Sequence, residues 1–454
     1  MIFGKKHGLN ERLLTFRHGV HPEEYKELSD HCAIERMPFV EMYTLPLSQH
    51  LGAPSRAIVR KGQEVRRGEL IAEPASFVSV GLHSPVDGTV VSVGLVDQPN
   101  GQMAPGIRIK TDPYSPQRMA ETSIPAPESI SVGDFLKAVQ WAGIVGLGGA
   151  AFPAHVKFSI PKDKTCKYLM LNGCECEPFL TADHRVMLEY TRDLLDGTRI
   201  LQHFVQAERI IIGVEANKAD AVAALRQTAV EMNFPVEVIP LQVKYPQGAE
   251  KMMISAILGE EVPSGKLPID VGALVTNVGT IAALSQYFRQ GKPLIERVVT
   301  VTGTAVKRPA NVLVPIGTPM REVVDYCGGL TSKTVRILLG GPMMGVSQKT
   351  LDVPVVKGTS GILLLTDREV QDLDTYNCIR CGRCVDACPI FLNPARMGAM
   401  AKQKLWDEME ALNVMDCFEC ASCSYVCPSA IPLVQSFRIG KSMIREKKAR
   451  EAGK

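Results

Sequence analysis

Hydrophobic residues along the chain fall into several successive patterns. Residues 1–115 hold short apolar runs separated by turn residues, as in "RAIVRKGQEVRRGELIAE" and "LHSPVDGTVVSVG". Runs of this length predict β-strands, and the Asp87-Gly88 pair is a typical hairpin turn. Four prolines and few large apolar side chains follow between Thr111 and Ile130, so we expect a linker at residues 116–130.

From residue 131 to residue 296 the pattern alternates between buried strands and helices. "KYLMLNG", "RIIIGVEA" and "FPVEVIPLQ" are apolar runs, and "KADAVAALRQTAVEM" reads as a helix between the last two. Such alternation predicts an α/β domain with a largely parallel sheet. Residues 297–345 change back to strands with one short helix, and we expect residues 346–366 to return to the α/β domain. Residues 367–454 form a separate cysteine-rich unit.

The composition is that of a water-soluble globular protein. The 454 residues are 45% hydrophobic and 22% charged, and a net charge of +3 gives no reason to expect nucleic acid as a partner. No run reaches the ~18 apolar residues that span a bilayer, and the start lacks a signal peptide, so we expect a cytosolic chain. Thirteen cysteines in that reducing compartment favour metal ligation over disulfides.

The C-terminal cysteines follow one repeated pattern. "CIRCGRCVDACP" and "CFECASCSYVCP" both read C-x2-C-x2-C-x3-C-P. In two-cluster ferredoxins the first three cysteines of each run bind one [4Fe–4S] cluster, and the fourth binds the other. The spacing therefore predicts one cluster on Cys378, Cys381, Cys384 and Cys427, and a second on Cys417, Cys420, Cys423 and Cys388. A structural zinc site is the alternative, but such sites use two C-x2-C pairs and do not require the doubled pattern.

A glycine-rich loop, "GIVGLGGAAFPAHVK", runs from Gly143 to Lys157. Glycines let backbone N–H groups approach a phosphate closely, and a lysine can neutralise its charge. The loop is neither a Walker A motif nor a G-x-G-x-x-G turn. Taken alone, it fits a helix-capping turn equally well.

Three further segments accompany this loop: "NGCECEPFLTADHR", "YPQGAEK" and "VTNVGTIAAL". Together the four resemble the flavin- and NADH-binding subunit of respiratory complex I, which implies FMN and NAD(H) as cofactors. The implied FMN site comprises Gly146, Gly148, Gly149 and Lys157 at the phosphate, Asn172 at the flavin, and Val275, Thr276, Asn277 and Thr280. The implied dinucleotide site comprises Tyr245, Gly248, Glu250, Phe152 stacked on the base, and Glu177 as the catalytic residue beside the isoalloxazine and the nicotinamide.

Three positions depart from the complex I family. Cys174, Cys176 and Gly279 stand where that family has Asp, Ser and Glu. The two cysteines have no further ligands near them in the sequence, so we expect pocket or core residues rather than a metal site.

The order of the units resembles that of RnfC, a component of the Rnf complex, the membrane-associated ferredoxin:NAD⁺ oxidoreductase, over nearly the whole chain. The likeness rests on "FRHGVHPEEYK", "GLGGAAFPAHVK", "NGCECEPFLTADHR", "LLGGPMMG" and "VVKGTSGILLL". It implies a multidomain α/β and α+β fold. The implied units are a lipoyl-like barrel-sandwich at 1–115, an α/β FMN/NADH domain at 131–296, a soluble-ligand-binding β-grasp module at 297–345, and a helical two-[4Fe–4S] ferredoxin-type domain with a basic tail at 367–454.

The same resemblance implies the function. Hydride would pass between NAD(H) and FMN near Glu177, and single electrons between FMN and the clusters. The implied partners are other Rnf membrane and iron–sulfur subunits, with ferredoxin reached through them. The implied location is peripheral, on the cytoplasmic face of the bacterial cell membrane, with coupling in the complex to Na⁺ or H⁺ translocation. Two alternatives stay open: a soluble NADH-dependent reductase similar to the cobalamin reductases, and a flavin-free electron-wiring scaffold.

Overall fold

The computed structural model describes residues 13–120, 124–331, 334–370 and 373–452. Its strands are β1 (Ile34–Arg36), β2 (Met42–Pro46), β3 (Arg56–Ala57), β4 (Glu64–Val65), β5 (Leu70–Glu73), β6 (Leu82–His83), β7 (Gly88–Asp97), β8 (Met103–Thr111), β9 (Tyr168–Gly173), β10 (Arg209–Glu215), β11 (Glu237–Leu241), β12 (Ala273–Asn277), β13 (Glu296–Thr302), β14 (Ala310–Pro315), β15 (Arg336–Leu339), β16 (Val346–Gln348) and β17 (Gly361–Leu365). Its helices are α1 (Val132–Trp141), α2 (Ala154–Phe158), α3 (Ala182–Glu189), α4 (Thr191–Val205), α5 (Ala219–Glu231), α6 (Glu250–Leu258), α7 (Val278–Gln290), α8 (Met320–Tyr326), α9 (Arg383–Asp386), α10 (Pro394–Lys402), α11 (Trp406–Ala411), α12 (Ser422–Tyr425) and α13 (Leu433–Ala452). Short 3-10 helices lie at Lys26–Leu28, Pro127–Ser129, Pro268–Val271 and Val414–Asp416.

The N-terminal unit is built from two small antiparallel sheets. One has the strand order β2-β8-β7-β4, and the other has the order β3-β5-β6. The prediction of a hairpin at Asp87-Gly88 is wrong, because β6 and β7 on either side of this pair belong to different sheets. A glycine is nevertheless needed, since a Cβ on Gly88 would lie 2.2 Å from the Lys110 carbonyl oxygen.

The α/β unit contains a four-stranded parallel sheet in the order β11-β10-β9-β12. From β9 the chain adds β10 and β11 on one side, and β12 then pairs with the opposite edge of β9. The strand order therefore reverses between β9 and β12. The crevice at the carboxyl ends of two such strands is where open α/β sheets bind their ligands.

A six-stranded mixed sheet follows, in the order β1-β14-β13-β17-β15-β16. Its edge strand β1 comes from the N-terminal part of the chain and pairs in parallel with β14. The expectation that residues 346–366 return to the α/β domain is wrong for their strands, because β16 pairs with β15, and β17 pairs with β13 and β15. All five residues of β17 are buried, which suits the continuous apolar run "GILLL" in an inner strand.

The C-terminal unit is helical, and α13 packs against α10 and α11. Basic residues of α13 pair with acidic residues of the same unit. The Lys447 amine lies 2.7 Å from the Asp407 carboxylate, and the buried Lys441 amine lies 2.6 Å from that of Glu419. Acidic residues of the same unit therefore neutralise part of the positive charge of the basic C-terminal stretch.

One large cluster of buried apolar side chains joins the first two units. It runs from Tyr43 and Ile107 in the N-terminal sheets to Leu169 and Ile281 in the α/β unit. A second cluster fills the six-stranded sheet, and a third lies among the C-terminal helices. The N-terminal sheets and the α/β unit thus share a continuous core, which fixes the loops between them.

Candidate flavin and iron–sulfur sites

Two asparagines mark the crevice at the strand-order reversal. Asn172 ends the apolar part of β9, Asn277 ends β12, and the two residues are paired in register. The Asn277 side chain caps α7 by accepting from the N–H groups of Gly279 and Thr280, at 2.9 and 3.3 Å. Its amide donates to the Asp183 carboxylate at 2.7 Å. The sequence-predicted Asn172, Asn277 and Thr280 therefore lie at the same edge of the sheet.

The glycine-rich loop is held over this edge by Thr280. The Thr280 hydroxyl accepts from Leu147 N–H at 2.9 Å, and Gly146 N–H donates to the Phe152 carbonyl at 2.8 Å. A Cβ on Gly148 would lie 3.1 Å from the Asn277 amide nitrogen, whereas one on Gly149 would meet only open space. The loop thus presents exposed glycine backbone beside a capped helix N-terminus, which is the arrangement that binds phosphate.

Two of the predicted FMN residues lie in the sheet rather than at its rim. Val275 belongs to a buried apolar cluster that also contains Met170 on the paired strand β9. Thr276 is buried in β12 as well. Phe152 is half-buried on the glycine-rich loop. The side chains that project at the strand ends, rather than Val275, are therefore available for a ligand.

The opposite wall of the crevice comes from the segment before α6. The Asn172 amide donates to the Gly248 carbonyl at 2.7 Å. The Lys157 amine forms an ion pair with Glu250, which joins two residues that the complex I resemblance placed in one site. Burial lowers the pKa of Lys157 to about 8. Lys157 is half-buried, and a phosphate in the crevice would share this cation with Glu250, so the residues fit an FMN phosphate.

Glu177 is covered by a loop that was not part of the predicted site. Its carboxylate accepts from the N–H groups of Met343 and Met344, at 3.2 and 2.7 Å. These residues lie in the turn between β15 and β16, within "LLGGPMMG". Burial raises the pKa of Glu177 to about 7. The tip of a hairpin from the six-stranded sheet therefore covers the predicted catalytic carboxyl.

Tyr245 differs from its predicted position. The resemblance to complex I places it in the dinucleotide pocket, but its side chain is buried and its hydroxyl donates to the Cys420 carbonyl at 2.8 Å. Gly248, three residues later, is fixed by close packing, since an added Cβ would lie 2.2 Å from the Cys174 carbonyl oxygen. Cys174 is buried in an apolar cluster, whereas Cys176 is half-buried and accepts from Gly248 N–H at 3.3 Å.

Several buried charged residues that support the site were missed in the sequence. The Lys357 amine, in "VVKGTSG", donates to the Gly143 and Gly81 carbonyls at 2.7 and 2.8 Å, and Arg297 donates to the Leu147 carbonyl at 3.2 Å. Both side chains therefore hold the glycine-rich loop through its backbone carbonyls.

Lys26 holds the segment that carries Glu177. Its amine donates to the Glu175, Glu177 and Leu180 carbonyls, at 2.6, 2.7 and 2.6 Å. Asp183 is half-buried, and burial together with the neighbouring Glu175 raises its pKa to about 7. In the sequence, the only sign of a role for Lys357 was its place in "VVKGTSGILLL", one of the stretches that resemble RnfC.

The predicted cluster ligands lie close together across the two runs. Cys384 lies near Cys378 and Cys427. Cys423 lies near Cys388, Cys417 and Cys420, and also near Cys384 of the other expected set. The fourth cysteine of each run therefore approaches the other run, as the crossed pattern requires. Cys378 and Cys381 are exposed, whereas Cys388, Cys420 and Cys423 are buried.

The two cysteine runs also repeat the same backbone. Left-handed φ angles recur at matching positions: Arg380 (56°) and Glu419 (63°), Gly382 (80°) and Ala421 (65°), and Phe391 (58°) and Ala430 (49°). Cys388, Cys417, Cys420 and Cys423 line one cavity, together with other residues. A cavity that four thiols of the crossed pattern share fits a [4Fe–4S] cluster. No three His, Cys, Asp or Glu side chains in the described part of the chain converge on a single metal ion.

Four family models match successive parts of the chain. They are the RnfC barrel sandwich hybrid domain at residues 14–114, the Nuo51 FMN-binding domain at 139–286, the SLBB domain at 298–347 and the 4Fe-4S dicluster domain at 374–431. Over 443 residues the chain is 43% identical to the RnfC component of the proton-translocating ferredoxin:NAD(+) oxidoreductase complex of Clostridium ljungdahlii, with 97% of this chain and 96% of the relative covered. The chain belongs to the RnfC family.

Two other members of the RnfC family also match the chain over nearly its whole length. The corresponding component of the Na(+)-translocating ferredoxin:NAD(+) oxidoreductase complex of Acetobacterium woodii is 43% identical over 439 residues, covering 97% of this chain and 98% of the relative. That of the ion-translocating oxidoreductase complex of Rhodobacter capsulatus is 40% identical over 447 residues, covering 96% and 84%. Among solved structures, an NAD⁺-reducing [NiFe]-hydrogenase in the H₂-reduced state has a TM-score of 0.50 at 18% identity, covering 68% of this chain and 62% of that one.

The comparisons confirm the predicted fold class and the family. The barrel-sandwich, FMN-binding, SLBB and dicluster descriptions correspond in order to the units expected from the sequence. They also support FMN and [4Fe–4S] clusters as the cofactor types. No helix within the described residues is long and apolar enough to cross a membrane.

Proposed function

We propose that this chain is the NAD(H)-side electron-carrying subunit of an Rnf-type ferredoxin:NAD⁺ oxidoreductase. It would exchange hydride with NAD(H) at a bound FMN and exchange single electrons through two [4Fe–4S] clusters. A flavin supplies the chemistry that joins the two, because it takes two electrons as hydride and releases them singly. The observation that carries the proposal is the contact between the two sites, where Tyr245 of the flavin unit donates to Cys420 of the cluster unit at 2.8 Å.

The protein's own residues have distinct tasks in this proposal. The exposed glycine loop and the capped start of α7 would bind the FMN phosphate, with Lys157 as the cation. Asn172 would orient the flavin from the end of β9. Glu177 would lie beside the reacting rings, and its pKa of about 7 lets it hold or release a proton near neutrality. The nicotinamide and flavin react by proximity and orientation, so no protein nucleophile is needed.

Partners and location follow from the family. The proposed partners are the other membrane and iron–sulfur subunits of an Rnf complex, and ferredoxin would be reached through them. Because ion movement across a membrane requires spanning segments, Na⁺ or H⁺ translocation would take place in those subunits. The proposed position is peripheral, on the cytoplasmic face of the bacterial cell membrane.

FMN binding tests the proposed site directly. Lys157→Met removes the cation while keeping a similar side-chain volume, so the purified variant should bind FMN at least tenfold more weakly than the wild type. Lys164→Met, at a more exposed lysine paired with Asp270, is the matched control and should bind FMN normally. Equal FMN affinity in wild type and Lys157→Met would contradict the site. Clusters without flavin in a chain supplied with FMN would instead support an electron-wiring scaffold.

A further inference from the structure

Four separate segments of the chain meet in one small buried cluster between the flavin unit and the cluster unit. Val20, Tyr245, Ala387 and Cys420 form it, and we call these four residues the joint. Met343, from the hairpin tip that covers Glu177, packs against the joint. Cys176, Phe418 and Val426 pack against it as well. The flavin side, the N-terminal segment, the hairpin and both cysteine runs therefore share this point.

The N-terminal segment connects the two units across the joint by backbone hydrogen bonds. Val20 N–H donates to the Tyr245 carbonyl at 2.8 Å, and Tyr245 N–H donates to the Val20 carbonyl at 2.9 Å. Gly19 N–H donates to the Ala387 carbonyl at 3.3 Å. Gly19 has φ +84°, and a Cβ there would lie 2.7 Å from the Tyr245 carbonyl oxygen. Ala387 directly precedes the ligand Cys388, so the segment ties Tyr245 to that run.

The Tyr245 hydroxyl adds a direct contact with the ligand loop. Its 2.8 Å hydrogen bond ends on the carbonyl of Cys420, and the tyrosine is 1% exposed. At the other end of the same short segment, Gly248 accepts from the Asn172 amide at the flavin site. Three residues of chain and two hydrogen bonds therefore join the predicted flavin site to a cluster ligand.

We propose that Tyr245 is a positioning residue that holds the Cys388/Cys417/Cys420/Cys423 cluster beside the flavin, and that this cluster is the first to exchange electrons with it. The inference rests on the proposed function. The other set contains the exposed Cys378 and Cys381, so it lies toward the surface, where a partner protein can reach it.

The electron balance of this step is simple. In the NADH-oxidising direction one electron leaves the reduced flavin and one is gained by the oxidised cluster. No bond forms or breaks in the protein, and the Tyr245 hydroxyl keeps its proton throughout. The hydrogen bond acts on the Cys420 peptide, where a donor at the carbonyl stabilises added negative charge on the cluster. Removing the donor should therefore make this cluster harder to reduce.

Tyr245→Phe tests the proposal in the purified full-length chain with both clusters and FMN. Tyr326→Phe is the matched control, since its hydroxyl donates to Glu35 at 3.0 Å in the six-stranded sheet. An EPR-monitored redox titration with dithionite gives each cluster potential without needing NADH. Stopped-flow mixing with NADH then separates flavin reduction from cluster reduction. Iron and flavin contents establish that each variant is fully loaded.

The expected result for Tyr245→Phe is a more negative potential for one cluster only and slower cluster reduction by several-fold, with flavin reduction by NADH unchanged. Tyr326→Phe should match the wild type. Gly19→Ala keeps the Tyr245 hydroxyl but crowds the Tyr245 carbonyl, so it should change the potential of the same cluster. This variant tests the proposal if Tyr245→Phe is unstable. Unchanged potentials and rates in both variants would overturn the proposal. Failure of NADH to reduce the wild-type flavin would instead contradict the proposed function, while the titration would still test Tyr245.

Discussion

The opening of the loop at residues 340–345 should depend on pH, and Glu177→Gln should abolish that dependence. The Met343 and Met344 N–H groups of this loop donate to the Glu177 carboxylate. Burial raises the pKa of the carboxyl from 4.5 to about 7, although both hydrogen bonds favour its charged form. When the loop opens, water reaches the carboxyl and its pKa falls toward the ordinary value. Loop opening is therefore coupled to ionisation of Glu177.

Linkage sets both the sign and the size of the effect. Below pH ~4.5 the carboxyl is protonated in the open and closed states, so the closed loop has its full stability. As pH rises toward 7, the open state has already lost the proton that the closed state retains, and the closed state loses stability. A shift of ~2.5 pKa units corresponds to at most about 3 kcal/mol. The opening equilibrium should rise by up to roughly tenfold per pH unit between pH 5 and 7 and level off above.

Hydrogen–deuterium exchange of the peptide containing residues 340–345 measures this opening. After correction for the intrinsic exchange rate, protection in the wild type should fall from pH 5 to pH 7, and in Glu177→Gln it should be independent of pH. Glu260→Gln, at an exposed carboxylate, is the control and should behave as the wild type. Wild-type protection that stays constant or increases over this range would refute the coupling.

Three further substitutions have effects that follow from the contacts of one residue each. Gly248→Ala places a methyl group 2.2 Å from the Cys174 carbonyl, so thermal unfolding should show a loss of about 1–3 kcal/mol, together with weaker FMN binding. Lys357→Met leaves the Gly81 and Gly143 carbonyls unpaired and should cost about 1–3 kcal/mol for each in the same assay, whereas the exposed Lys349→Met should cost nothing. Burial alone would raise the pKa of Glu296, but hydrogen bonds and charges from Arg36 and Lys292 lower it to about 2. This carboxylate stabilises the fold above pH ~4.5 and loses that effect as pH falls toward 2. Glu296→Gln should therefore destabilise the protein by about 3–5 kcal/mol at pH 7. Thermal melts should show the stability difference between wild type and variant shrinking on acidification.

The cysteine pattern and the glycine-rich loop could be predicted because their information is local. The spacing of each cysteine run fixes a loop that repeats the same left-handed φ angles, and the crossing of the fourth cysteine follows from two runs side by side. Asn277 and Thr280 were expected near the glycine-rich loop, and the structure joins them through the Thr280 contact with Leu147. These features depend on residues that are close in sequence or on one pair of neighbouring strands.

Contacts between units could not be predicted. The Tyr245 hydroxyl meets a carbonyl 175 residues away, and no local pattern tells which unit such a side chain faces. Lys26 and Lys357 look like surface lysines in the sequence, but Lys26 donates to three backbone carbonyls and Lys357 donates to two. The Asp87-Gly88 pair signalled a turn but could not reveal that the flanking strands pair with different neighbours. The apolar run of β17 likewise carried no information about its sheet.

An anaerobic NADH titration of the purified chain, loaded with FMN and iron–sulfur clusters, tests the central claim most directly. Flavin and cluster absorbance are followed together, with iron and flavin contents measured on the same sample. The account predicts that NADH bleaches the flavin and then reduces the cluster absorbance in a chain that has no partner present. A fully loaded chain whose flavin and clusters both stay oxidised in excess NADH would contradict it.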